Sequence, residues 1–134
     1  MSVGTLGKPA MLDSCQRLQR LGYHLFATEG TKLFLEGTGG MTGVTEVFKT
    51  SSGREPTATS LIQARQIDLV INDPENGDKE TVTDGYLIRR TAVDFGCSLI
   101  TNVKCAVLLS LALERVKTFH VRSIEEYTAA QLQI

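Results

Sequence analysis

No tryptophan occurs in the 134 residues, histidine occurs only twice, and cysteine and proline three times each. Each shortage removes a class of function. No apolar run approaches the ~20 residues that a bilayer-spanning helix needs. Fourteen basic against fifteen acidic residues leave a formal net charge of −1, so there is no electrostatic footprint for nucleic acid. Cys15, Cys97 and Cys105 are an odd set without metal-ligand spacing, and are expected as reduced thiols in apolar surroundings of an intracellular protein. His24 falls in an apolar strand and His120 in the late C-terminal segment, neither placed as an acid–base group or at metal-ligand spacing. A Gly-x-Ser-x-Gly elbow is also missing. The sequence therefore predicts no catalytic constellation, no metal site and no cofactor. No basic-then-apolar leader stands before the first strand-like residues, and the expected location is the cytoplasm, or the mitochondrial matrix if a transit peptide precedes this sequence.

What the chain does have is alternation. Ser2 to Leu6 reads as a strand, and Gly7-Lys8-Pro9 turns into a helix with Pro9 at its first position, where a missing N–H costs nothing. Leu12, Cys15, Leu18 and Leu21 give that helix an apolar side, and Gly22 stops it. Strands follow at Tyr23 to Ala27, Val44 to Phe48, Ile67 to Ile71 and Cys97 to Ile100. Helices are expected at Thr31 to Glu36, around Thr59 to Ala64, from Gly85 to Val93 with Asp84 as its cap, and at Val103 to Leu113 behind Thr101-Asn102. Ser123-Ile124-Glu125-Glu126 has capping-box spacing for a last short helix. Asn72 to Thr83, with turn signals at Asp73-Pro74 and Asn76-Gly77, is the longest irregular stretch. The pattern predicts one α/β domain over residues 1–134: three layers around a five-stranded parallel sheet, flavodoxin- or Rossmann-like.

The corner Thr28-Glu29-Gly30-Thr31 joins a strand to a helix through two hydroxyls and a glycine. Free N–H groups and a positive dipole end make such a corner suited to anions. The glycine-rich run Gly37 to Gly43 follows a helix and precedes a strand, which puts it on the opposite rim, and it lacks the Gly-Lys-Ser/Thr ending of a nucleotide loop. It is a connector. Sorted by rim, the carboxyl ends of the strands carry Lys8, Thr28, Thr31, Lys49, Ser51, Ser52, Asn72, Asp73 and Thr101-Asn102, and the candidate binding set is Lys8, Thr28, Gly30, Thr31, Lys49, Ser51, Ser52 and Asn72. These ammonium groups, hydroxyls and helix starts suit a phosphate or carboxylate ligand.

Ala27-Thr28-Glu29-Gly30-Thr31, Lys49 to Arg54, Ile67 to Asn72 and above all Gly85-Tyr86-Leu87-Ile88-Arg89-Arg90-Thr91-Ala92 resemble the methylglyoxal-synthase-like domain. Within that superfamily the chain is most similar to the C-terminal regulatory domain of the large subunit of carbamoyl-phosphate synthetase. The resemblance implies a fragment of a larger ligase, non-catalytic in itself, whose partners are the synthetase domains and a small anionic effector. In bacterial members, whose effector is a nucleotide such as UMP or IMP, the phosphate is held at positions that fall on Lys8, Thr28, Thr31 and Lys49, and in animal pyrimidine-pathway members the effectors are UTP and phosphoribosyl pyrophosphate. In urea-cycle members N-acetylglutamate is held by the two threonines, a tryptophan and asparagines. Here Asn72 matches one asparagine, Glu75 and Gly85 occupy the other two positions, and Lys49 takes the place of the tryptophan. The lysine pair favours a nucleotide phosphate, with N-acetylglutamate as the alternative. A third reading is the lyase methylglyoxal synthase, for which Asp73 matches one catalytic aspartate, Glu55 stands for the principal one, and the histidine is missing near Val82 and Thr83. The bifunctional purine enzyme that closes the IMP ring ranks lower, since its Lys-Thr-Leu-His-Pro motif is absent.

Overall fold

The computed structural model describes residues 1–73 and 79–131, with side chains omitted for 79–82, 130 and 131. In chain order the elements are β1 (Ser2–Val3), α1 (Lys8–Arg20), β2 (Phe26–Thr28), α2 (Glu29–Leu33) running on into a π-helical turn (Phe34–Thr38), β3 (Thr45–Val47), a 3₁₀ turn (Thr50–Ser52), α3 (Ala58–Gln63), β4 (Leu69–Asp73), α4 (Lys79–Asp94), β5 (Ser98–Ile100), α5 (Val103–Arg115) and α6 (Ile124–Gln131). All strand pairs are parallel, as the α/β alternation requires.

The five strands are hydrogen-bonded as three plus two rather than as one ladder: β1-β4-β5 and β2-β3. The reason is the brevity of β1. Where β1 meets β2 a single residue makes the join: the Met1 ammonium donates to Phe26 O at 2.7 Å and Met1 O accepts from Thr28 N at 3.1 Å.

Alternate residues of the strands feed two cores. On one face Met11, Cys15 and Leu18 of α1 pack with Val3, Ala27, Leu35, Ile71 and Ala106. On the other Val70 meets Ile62, Ile88 and Ala92 of α3 and α4. Burying each large aliphatic side chain contributes about 1.5–3 kcal/mol, so α1, with Met11, Cys15 and Leu18 each under 5% exposed, is anchored firmly. Its far end is clamped to α5, where Arg17 Nη1 donates to Ser110 Oγ at 3.0 Å and Arg17 Nε meets Glu114 Oε2 at 3.3 Å. Gly22, at φ +93°, ends α1: its own N–H reaches Gln19 O while Tyr23 N reaches Leu18 O.

Several expected features sit elsewhere. Helix α4 begins at Lys79 rather than at Gly85, so Asp84 lies inside it and its carboxylate accepts from Thr50 N at 3.1 Å instead of capping. Pro74, Glu75, Asn76 and Gly77 fall outside the described residues. His24 is exposed just ahead of β2, bonded to Thr45 Oγ1 at 2.8 Å. Of the cysteines, Cys15 is buried, Cys97 half-buried and Cys105 exposed, because Cys105 sits on the first turn of α5 while Ala106 faces the core. The last helix carries the capping box read from its sequence: Ser123 N donates to Glu126 Oε2 and Glu126 N to Ser123 Oγ.

Candidate functional site

Parallel strands deliver their carboxyl ends to one rim, where the ends of β2 and β4, the first residues of α1 and α2 and the loop after β3 hold the eight residues singled out above. The tightest grouping is at the Thr28 corner. Thr28 is the extended residue that opens α2, and its hydroxyl does not cap the helix. Lys8 starts α1 directly after the β1 turn, and its Nζ stands 3.4 Å from where a Cβ on Gly30 would be. The missing side chain at Gly30 thus lets an ammonium lie over the first turn of α2. Lys8 is half-buried.

Thr31 plays a different part. It is 3% exposed, and its Oγ1 accepts from Val3 N at 3.2 Å, donates to Val3 O at 3.4 Å, and accepts from Thr28 Oγ1 at 3.4 Å. One donor and two lone pairs are all engaged, so this hydroxyl ties α2 to β1 and orients Thr28. Thr28 is the half-buried member whose oxygen faces the corner.

Lys49, Ser51 and Ser52 lie in the loop after β3, which the Thr28↔Val47 register brings alongside the corner. Lys49 and Ser51 are exposed and each has an interaction within the protein. Ser52 is spent on the loop: its Oγ donates to Lys49 O at 2.7 Å and accepts from Arg54 N at 3.2 Å, with Gly53 in the left-handed region at φ +67°. The Arg54 guanidinium covers the Phe48 ring at 3.8 Å.

Asn72 sits on the other side of β1, 2% exposed. Its Nδ2 donates to Ser2 O at 3.3 Å and its Oδ1 accepts from Arg89 Nη1. Arg89 was not among the residues picked from the sequence. A signal was there: Gly85 lies four residues earlier, one helical turn away, and a Cβ on it would be 3.1 Å from Arg89 Nη1. The neighbouring Arg90 instead points outward into an exposed pair with Asp94 at 2.9 Å. Asp73 completes the rim, its Oδ2 about the glycine at the head of α1: a Cβ on Gly7 would stand 3.0 Å from it.

Ser60 Oγ and the Thr57 N–H both donate to Glu55, holding its carboxyl below the usual glutamate value. Burial pushes the Cys15 thiol up to about 11. Among the described residues no three His, Cys, Asp or Glu side chains gather as a metal site, and no helix is long and apolar enough to cross a membrane.

The profile of the MGS-like domain family matches residues 10–101. The chain is 36% identical over 123 residues to the mitochondrial carbamoyl-phosphate synthase [ammonia] of Rattus norvegicus, covering 90% of this chain and 8% of that protein. It is 41% identical over 117 residues to the C-terminal section of the carbamoyl phosphate synthase large chain of Methanopyrus kandleri, covering 87% of this chain and 21% of that one. To the multifunctional protein URA2 of Saccharomyces cerevisiae it is 37% identical over 137 residues, covering 96% of this chain and 6% of that protein. The chain thus spans a small part of each of these relatives.

Proposed function

The chain belongs to the MGS-like domain family, and from that premise we propose that it is the effector-binding regulatory domain of a carbamoyl-phosphate synthase, non-catalytic in itself and acting within the larger synthetase. The effector is a nucleotide held by its phosphate at the Thr28 corner. The observation that carries this reading is the Lys8 ammonium lying over Gly30, beside the Thr28 hydroxyl and the start of α2. An anion there meets the Lys8 ammonium, a hydroxyl and backbone donors at once. Lys49 supplies the second cation from the neighbouring loop. Asn72, with Arg89 behind it, lies one strand further on, where the sugar or base would reach.

Two lysines favour a phosphate over the dicarboxylate N-acetylglutamate. The lyase reading is disfavoured by Glu55, whose carboxylate is held by Thr57 and Ser60 at the start of α3 and made a weaker base. Regulation follows if the effector prefers one arrangement of the synthetase, a coupling of about 1–3 kcal/mol on the usual scale. On this reading the parent enzyme acts in the cytoplasm, or in the mitochondrial matrix if it is of the urea-cycle type.

Calorimetric titration with UMP, UTP, IMP, phosphoribosyl pyrophosphate and N-acetylglutamate tests the proposal. Saturable binding of a nucleotide or of phosphoribosyl pyrophosphate, weakened by Lys8→Ala, is expected. Binding of N-acetylglutamate alone would overturn the choice of effector.

A further inference from the structure

How many phosphates the rim accepts depends on what stands across the end of β1. The bonds of Met1 to Phe26 O and Thr28 N put Met1 level with Ala27, and hence Ser2 level with Thr28. Ser2 pairs in turn with Asn72. Three adjacent strands therefore carry Thr28, Ser2 and Asn72 in one row. At about 4.8 Å per strand, the Thr28 corner and Asn72 lie roughly 10 Å apart. A ligand with its phosphate at the corner and its base near Asn72 must lay its middle over β1.

What stands there is a carboxylate. Asp73, one residue past Asn72, pairs with Val3 at the end of β1. Its Oδ2 is turned to the head of α1, 3.0 Å from where a Cβ on Gly7 would be, whereas the Lys8 ammonium goes to Gly30 on the β2 side. Among the described residues no ion pair joins Asp73 to a cation. The first turn of α1 adds few donors beside it: Gly7 N and Lys8 N both bond Gly4 O, and Pro9 has no N–H. Asn72 is spent on Ser2 O and Arg89. On the other flank of the corner Glu29 is exposed in the first turn of α2.

We propose that Asp73 makes the rim selective for a nucleoside monophosphate over its di- and triphosphate, its carboxylate accepting from a sugar hydroxyl and repelling a second phosphate. The proposal rests on the nucleotide reading above and narrows it. One carboxylate serves both ends, because a hydroxyl can donate to it and an ionised phosphate oxygen cannot. A monophosphate seated at the corner lays its sugar over β1, in reach of Asp73. A di- or triphosphate seated there by its last phosphate lays another charged group over β1 instead. Seated by its first phosphate, it sends the others outward past Glu29. Either way the added charge meets a carboxylate, and such a repulsive element is how a site rejects a ligand that shares its anchoring group.

The test is calorimetric titration of the 134-residue chain with UMP, UDP and UTP, with and without Mg²⁺, for the wild type and for Asp73→Asn. The wild type is expected to bind UMP roughly tenfold or more tighter than UTP. Asp73→Asn keeps the shape and an acceptor oxygen but not the charge. It should remove most of that ratio, chiefly by tightening UTP. The wild-type comparison decides by itself if the variant loses stability: equal affinities for UMP and UTP would overturn the inference. A ratio left unchanged in a folded Asp73→Asn would do the same. So would UTP overtaking UMP once Mg²⁺ is added, since Asp73 would then be serving as a ligand to the metal. Binding of none of the three would overturn the nucleotide reading itself, and this inference with it.

Discussion

Arg89 reaches back from the third turn of α4 to hold the side-chain carbonyl of Asn72 at the end of β4, while the amide of Asn72 holds the carbonyl of Ser2 in β1. Two strands and a helix are thereby fixed through one buried amide. Asn72→Ala leaves Ser2 O and the guanidinium without that partner, and should lower stability by about 1–3 kcal/mol in urea unfolding. Arg89→Lys keeps the charge but loses the planar donor fork, and should weaken effector binding more than it lowers stability. A fall in stability with unchanged affinity would show Arg89 to be structural only.

The two threonines of the corner should separate cleanly. Thr31→Val removes the hydroxyl that accepts from Val3 N, leaves a buried N–H unpaired, and should cost about 1–3 kcal/mol of stability. Thr28→Val should change stability by no more than about 0.5 kcal/mol, because it disturbs no helix cap, yet reduce anion affinity. Denaturant curves and calorimetry on the same samples decide it; equal losses of stability would contradict the assignment.

Glycine substitutions give a second contrast. At Gly7 a Cβ would stand 2.7 Å from Val103 Cγ2 and 2.9 Å from Val3 Cγ1, so Gly7→Ala should destabilise by about 1–3 kcal/mol. At Gly30 the nearest atom is the Lys8 ammonium at 3.4 Å, the end of a flexible side chain. Gly30→Ala should leave stability level or raise it by up to about 1 kcal/mol, while crowding the anion's place and weakening phosphate binding. Unchanged affinity would mean that the ligand does not approach Gly30.

Glu55 sets a pH dependence of known sign. Its folded pKa lies below the ordinary 4.5 because Ser60 and the Thr57 N–H bind the carboxylate. A depressed carboxyl pKa adds stability that is complete above the ordinary value and is lost as pH falls through the folded one. Glu55→Gln should therefore flatten the acid limb of the stability profile without changing its shape near neutrality. An acid limb that is identical in both proteins would rule out the contribution.

The strand-to-helix turn at Thr28 was legible in the sequence because strand, hydroxyl, glycine and helix follow within a few residues, and Lys8, twenty positions earlier, comes to the same rim through the parallel α/β alternation. The helix ends at Gly22 and Ser123 were legible for the same reason. What the sequence hid depends on distant partners. Asp84 looks like a cap, but its carboxylate goes to Thr50, thirty-four positions away, and α4 starts five residues before Asp84. The choice between Arg89 and Arg90 turns on which faces the sheet, and Gly85 marks it only once the helix is known to include it. The division of the strands into two ladders could not be read from apolar runs, since it depends on how much of β1 lies between β2 and β4.

The grip of Arg17 on Ser110 and Glu114 makes α1 a lever. From Lys8 to Arg17 is about 13 Å along the axis at 1.5 Å per residue, so tilting the helix by ~5° about its Lys8 end would swing Arg17 through roughly 1 Å. A hydrogen bond of 3.0 Å does not stretch that far and survive. A displacement of α1 at its Lys8 end is therefore felt at Ser110 and Glu114 of α5. The clamp thus couples the position of α1 at the rim to that of α5.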